Sequence, residues 1–355
     1  MEPYIYQKFS MLERSILITV MYYDILDFPL TENEIHRWLY WPQDAKKVDF
    51  SDVVETLDSS ATLKDFLACE NGFWHLKNKG DGALQKRISR AHHAQKKYRK
   101  LKHLMFFARM APFVKAVFAT NTLSYNNTRK ESDIDLFVIT QESKLWSARF
   151  FFVGMLKFLG MRPGQLGTNE NKMCLNFFLS ERSLNISDVA LKNRRGQIVD
   201  VHLASLVVMM VPIYDPQNIF PEFLVNNEWV RDFFYNFYGY EPQYDRKTHP
   251  TWWTHAFKNI FERIFGFSFL EKKTRDFQLK IMPQNLKLAA LEPQSNVVIN
   301  DNMLKFHLLD RRKEYLQEFH RRYREFVTSM EQEEKHEYQK HALDQQLHAR
   351  EESRI

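Results

Sequence analysis

Apolar residues recur at helical spacing through SMLERSILITVMYYDIL, where Leu12, Ile16, Val20 and Tyr23 share one face. Ser10 and Glu13 stand three apart at its start, as in a capping box, and Pro29 ends the pattern. Thr31 and Glu34 repeat the device at the head of a second short helix, TENEIHRWLYW. DFSDVVETLDSSATL predicts a third. FLACENGFWHLK then alternates around Glu70-Asn71-Gly72, a hairpin signal in which Gly72 supplies the positive φ.

Helices followed by a hairpin within residues 1–80 resemble a winged helix-turn-helix. The third helix would enter a DNA groove, yet it carries Asp49, Asp52, Glu55 and Asp58. Phosphate repulsion there opposes the counterion release that drives DNA affinity. A scaffold or protein-contact role suits this unit better.

Beyond it the periods change. Residues 82–110 predict one long basic helix. FVKAVFAT and DIDLFVIT read as strands, LWSARFFFVGMLKFLG as an apolar helix ended near Gly160 and Pro163, and KMCLNFFLS as a third strand. Asp200 to Met210 predicts a buried helix closed by Pro212. The sum is an α+β core over 81–220, with a mixed sheet flanked by helices. Residues 221–330 read as a helical region, and 331–355 as a charged tail. In HPTWWTHAFKNIFERIFGFSFL, Trp253, Phe257, Ile260, Phe261 and Ile264 share a face, with Lys258 and Arg263 elsewhere. That face is expected to turn to the core; an interfacial membrane helix has the same pattern.

Composition narrows the class. Hydrophobic residues make up 44% and charged residues 26%, as in a globular chain, and 30 Phe against 10 Gly favour helical packing. Cys69 and Cys174 lack the spacing of a disulfide framework or a metal motif. No window is apolar enough to span a bilayer, and the N-terminus has no signal-peptide pattern, so a cytoplasmic location is expected. The 13 His form no ligand-spaced set. The net charge is +6, and no acid occurs between Asp81 and Glu131. KRISRAHHAQKKYRKLKH, residues 86–103, therefore offers nucleic acid a basic helix, or simply a solvated face.

The candidate chemistry lies in ATNTLSYNNTRKESDIDLFVIT. Residues i and i+2 of a strand share a face, so Asp133 and Asp135 project side by side. Adjacent carboxylates repel unless a cation compensates them, and Mg²⁺ fits such a pair while leaving positions for phosphate oxygens. A pair of exposed aspartates at a strand start is the plainer alternative.

Strand, turn, loop and Ser-Asp-Ile-Asp-Leu together resemble the nucleotidyltransferase superfamily, of polymerase-β-like fold, nearest its small bacterial minimal and kanamycin types. The resemblance covers about residues 110–215. It implies Mg²⁺-dependent transfer of a nucleoside monophosphate from a nucleoside triphosphate to a hydroxyl acceptor of unknown identity. Asp133 and Asp135 would hold the metal. Asn121 and Thr122 stand where the family has Gly-Ser, and with Ser132 and Arg149 they would face the phosphates. The family's third carboxylate, its base, sits on a neighbouring strand; here KMCLNFFLS offers Asn176, and an amide is no base. Asp200 or Glu181 would have to stand in. The rival readings are a catalytically degenerate copy that binds a nucleotide or a partner, and a winged-helix regulator.

Overall fold

The computed structural model describes residues 8–40, 48–77, 82–163, 169–239, 246–292, 295–308, 310–330 and 332. Apart from Gln332, the charged tail 331–355 lies outside them. The described chain divides into two units, one formed by residues up to Lys77 with those from Lys313 onward, the other running from Gly82 to Arg312. The stretch 221–330 is thus split, because its last helix finds its apolar partners in the N-terminal unit.

In the first unit local signals act as expected, except that the stretch read as one third helix breaks at Ser60 into two. Helix α1 (Met11–Ile25) starts on a closed capping box: Ser10 N donates to Glu13 Oε2 at 2.7 Å, and Glu13 N to Ser10 Oγ at 3.2 Å. Thr31 and Glu34 do the same for α2 (Glu32–Arg37). Each cap contributes about 1 kcal/mol. Helices α3 (Phe50–Ser59) and α4 (Ala61–Phe66) lead into a hairpin of β1 (Leu67–Glu70) and β2 (Phe73–Leu76), turned by Asn71 and Gly72, both at positive φ. A bridge between Leu30 and Trp74 adds a third extended segment. Helix α1 is buried on nearly all sides between Arg14 and Tyr23, not on one face. The helical stretch 312–330 covers its other side, where Phe319 meets Tyr22 and Arg322 pairs with Asp24 at 2.7 Å.

The second unit is built on a six-stranded mixed sheet ordered β6-β3-β4-β5-β8-β7. Its strands are β3 (Val114–Ala119), β4 (Ile134–Thr140), β5 (Met173–Ser180), β6 (Val211–Tyr214), β7 (Val297–Ile299) and β8 (Met303–Phe306). Strands β4 and β5 are parallel; the other pairs are antiparallel. The long helix α5 (Ala83–Met110), a single turn α6 (Asn121–Ser124) and α7 (Leu145–Phe158) come in that order along the chain. Val117, Ile134, Leu136 and Leu175 join Leu101 and Met105 of α5 and Phe152 of α7 in one core. On the opposite face Phe118, Phe137 and Phe177 pack in one cluster of rings with Phe220 and Phe223 of α9 (Ile219–Asn226). Helix α8 (Val201–Met209) is capped by Asp200, whose Oδ1 accepts from Leu203 N at 2.9 Å.

Two expectations fail beyond residue 220. The β7–β8 hairpin joins the sheet edge inside a region read as helical. NVVINDNMLKF held the signal, β-branched residues followed by an Asn-Asp-Asn turn, but it is only a few residues long. Helix α10 (Trp252–Phe265) turns its apolar face outward, not to the core: its buried residues are Thr254 and Lys258. Backbone satisfaction decides this. Phe113 N donates to Glu262 Oε1 at 2.7 Å, and the Lys258 ammonium donates to the Val114 carbonyl. Those main-chain groups at the head of β3 would otherwise be buried without partners, at about 1–3 kcal/mol each.

Lys305, Asp310 and Arg312 form a buried ion network with Asp200. Arg312 reaches Asp200 Oδ2 at 2.6 Å and Asp310 Oδ2 at 2.8 Å, and Lys305 pairs with Asp310 at 3.0 Å. It locks β8 to the start of α8.

Candidate metal centre

Backbone geometry assembles the centre at one end of the parallel pair. Asp135 is the second residue of β4, and its partner across the ladder is Cys174 of β5. Ligand atoms of Asp133, Asp135 and Cys174 all lie within 4.8 Å of one another. Between the pairs Asp135–Cys174 and Phe137–Phe177, β5 carries one residue more than β4. That bulge brings Cys174 beside the carboxylates. Asn176, the expected third member, falls on the bulge and faces neither aspartate across the ladder.

Both carboxylates are half-buried, and neither forms a salt bridge among the described residues. Burial and the Asp133 charge push the Asp135 carboxyl up to about 6, against hydrogen bonds from the Asn121 amide and the Cys174 thiol. Burial and the same two carboxylates also push the Cys174 thiol up, so it stays protonated at neutral pH. Its single proton can go to only one of the two aspartates at a time.

The Asn-Thr turn keeps the geometry a glycine would have supplied. Asn121 sits at φ 53°, in the left-handed region that Asn tolerates best after Gly, and opens α6. Thr122 is half-buried, and its carbonyl accepts from Asn127 N at 2.8 Å. Ser132 serves through its carbonyl, which accepts from Lys97 Nζ at 2.6 Å and from Asn171 N at 3.2 Å.

Lys97 is a correction. It belongs to the helix expected to face nucleic acid, yet it is 2% exposed and its ammonium also donates to Lys130 O at 3.0 Å. It holds the loop that carries Asp133. Lys97→Met should lower stability by about 2 kcal/mol, because it strips a charged donor from buried carbonyls. Lys96→Met, at an exposed position, should change it by less than about 0.5 kcal/mol. Urea unfolding of the two variants reads the difference.

Arg149 is placed elsewhere. It stacks on Phe306, 4.8 Å from the ring centroid, bonds Gln278, and lines an apolar cleft of about 320 Å³ with Phe150, Phe277 and Ile281. Arg162, which the motif did not single out, sits in the field of Asp133 and Cys174 and donates to Met173 O at 3.2 Å. The possible stand-in acids are remote or committed. Glu181 follows the far end of β5, accepts from Glu142 N at 3.0 Å and lies 4.0 Å from Lys115. Asp200 is spent on Leu191 N, Leu203 N and Arg312.

The donor set suits a hard divalent ion. Two carboxylate oxygens match Mg²⁺ or Mn²⁺, whereas a protonated thiol ligates neither and donates a hydrogen bond instead. No family model, curated protein or solved structure matches the chain.

Proposed function

We propose that the chain is a nucleotidyltransferase-type protein that binds a divalent cation and a nucleoside triphosphate at Asp133 and Asp135. The observation that carries this reading is the convergence of two half-buried carboxylates that form no salt bridge among the described residues. Such a pair is costly until an ion arrives. The order strand, turn with Asn121 at positive φ, strand bearing the pair, helix, parallel strand also supports it. When held by Asp133 and Asp135, Mg²⁺ would neutralise negative charge on the transferring group. The residues themselves would divide the work: the carboxylates fix the ion, the Asn121 amide orients Asp135, and Arg162 offers positive charge beside Asp133. The N-terminal helices and hairpin are taken as a winged-helix-like scaffold.

Cys174 favours a second reading, in which the protein binds nucleotide with little or no transfer. A thiol whose proton is held above neutral pH cannot take the acceptor's proton, and loss of a general base costs about 10²- to 10⁴-fold in rate. Pyrophosphate release with Mg²⁺ and each nucleoside triphosphate decides between them. Slow wild-type turnover that Cys174→Asp raises at least about tenfold supports a transferase short of its base. Brisk wild-type turnover, lowered in that variant, means another group supplies it. No turnover in either protein, with nucleotide still bound, leaves the binding module. The solvent-facing Lys96, Arg99 and Lys100 keep nucleic acid among the acceptors to include.

A further inference from the structure

Helices α10 and α11 (Ser268–Ile281) are amphipathic in reverse. Each docks on the body through polar groups. In α10 these are Lys258 and Glu262, bonded to the backbone of Val114 and Phe113. In α11, Glu271 accepts from Trp146 N at 2.8 Å and Ser147 N at 2.9 Å, capping α7, while Gln278 donates to Trp146 O at 2.8 Å. The large apolar side chains are left outside. Trp252 is 84% exposed, Ile264 53%, Phe267 59% and Ile281 63%. Ring contacts between Phe106 and Trp253, Phe151 and Phe265, and Phe150 and Phe277 join these helices to α5 and α7 as one continuous face. Phe158, 90% exposed beside the exposed Lys157, extends it at the end of α7.

We propose that this face seats the protein on the surface of an anionic lipid bilayer. The charges select that occupant. The acids Glu262 and Glu271 are used inward, leaving Asp276 as the exposed acid of the two helices. The exposed bases are Arg263, Lys272, Lys273, Arg275 and Lys280; among the described residues Arg275 alone leans on an acid, Asp301, at 3.4 Å. Lysines set among aromatic side chains fit lipid headgroups over an acyl boundary. An interface between protein copies is instead depleted of lysine at its core. Trp252 and Trp253 are exposed, and tryptophan is enriched at membrane–water boundaries. At 14 residues each, α10 and α11 are too short to span a bilayer and suited to lying in its plane. The cleft between Phe150, Phe277 and Ile281 opens on the same face and gives an acyl chain a place to enter.

The test is co-sedimentation of the full chain with vesicles of phosphatidylcholine alone or with about 30% phosphatidylserine, with the oligomeric state measured by analytical ultracentrifugation. Binding is expected to the anionic vesicles, at least about tenfold weaker on neutral ones, and falling between about 0.1 and 0.5 M salt. Trp252→Glu with Ile264→Glu should lose it at least about tenfold while unfolding at the wild-type urea concentration, since both positions are exposed. Lys272→Glu with Lys273→Glu should remove the preference for anionic lipid. Failure to bind either vesicle overturns the proposal. So does a dimer that the Trp252→Glu, Ile264→Glu variant dissociates, which would make the face a contact between copies.

Discussion

In EDTA, Asp135→Asn should melt above the wild type, and Mg²⁺ should raise the wild type without moving the variant. The Asp135 carboxyl is pushed up to about 6 by burial and the charge of Asp133. Holding it ionised at neutral pH costs up to about 3 kcal/mol, since each pKa unit is about 1.4 kcal/mol. Removing the charge should therefore raise the melting temperature by about 3–8 °C. The sign follows from linkage. A carboxyl raised on folding gives its stabilisation in full below the unfolded value, near pH 4, and loses it as pH rises through about 6. The gap between variant and wild type should open across that window and close in acid. Added Mg²⁺ replaces the missing counter-charge only where both carboxylates exist, and its effect should strengthen as pH passes about 6. Differential scanning calorimetry from pH 4 to 8, with and without Mg²⁺, measures every part of this. An Asp135→Asn protein that melts below the wild type in EDTA would mean that the pair is not in conflict.

Arg312→Met should be the most damaging single change in the Gly82–Arg312 unit. Arg312 is 5% exposed and bridges Asp200, itself 1% exposed, to Asp310. Its loss leaves two buried carboxylates with Lys305 as their remaining cation. Breaking such a network costs about 3–5 kcal/mol. Arg321→Met, at a surface pair, should be close to neutral. The pH dependence adds a second readout. Arg312 holds the Asp310 carboxyl far below the usual carboxylate range, so in the wild type that stabilisation is present above about pH 4 and survives well into acid. Without Arg312 the buried carboxyls take up protons more readily, and the variant should gain stability as pH falls from 7 to 5. Urea denaturation at both pH values tests it; equal losses for Arg312→Met and Arg321→Met would remove the network from the account.

What the sequence revealed was local. The boxes at Ser10–Glu13 and Thr31–Glu34, the Asn71-Gly72 turn and the strand from Ile134 to Thr140 depend on neighbours within a few residues, so their chemistry is readable in order. Asp133 and Asp135 converge for the same reason, through the two-residue period of one strand. What stayed hidden depends on distant partners. Cys174 meets Asp135 because β5 runs parallel to β4 with a bulge, and no local pattern near residue 174 encodes that register. Lys97 looked like one more solvated base until a loop some thirty residues on presented carbonyls to it. Helix α10 misled most, because periodicity reports that a helix has two faces without saying which one the body needs. Unpaired main-chain groups at Phe113 and Val114 chose the polar one.

The most direct test of the cation site is a Mn²⁺ titration followed by electron paramagnetic resonance, on wild type, Asp135→Asn and Cys174→Ser, with and without a nucleoside triphosphate. Mn²⁺ takes the same oxygen donors as Mg²⁺, and the six-line signal of the free ion falls as it binds. The wild type should bind one ion, more tightly as pH rises through about 6 and more tightly again with nucleotide. Cys174→Ser should retain it, because the thiol is a proton donor there and not a ligand. Asp135→Asn should lose it. Equal Mn²⁺ binding in the wild type and Asp135→Asn, or none in the wild type with nucleotide present, would contradict the assignment of this pair as a metal and nucleotide centre.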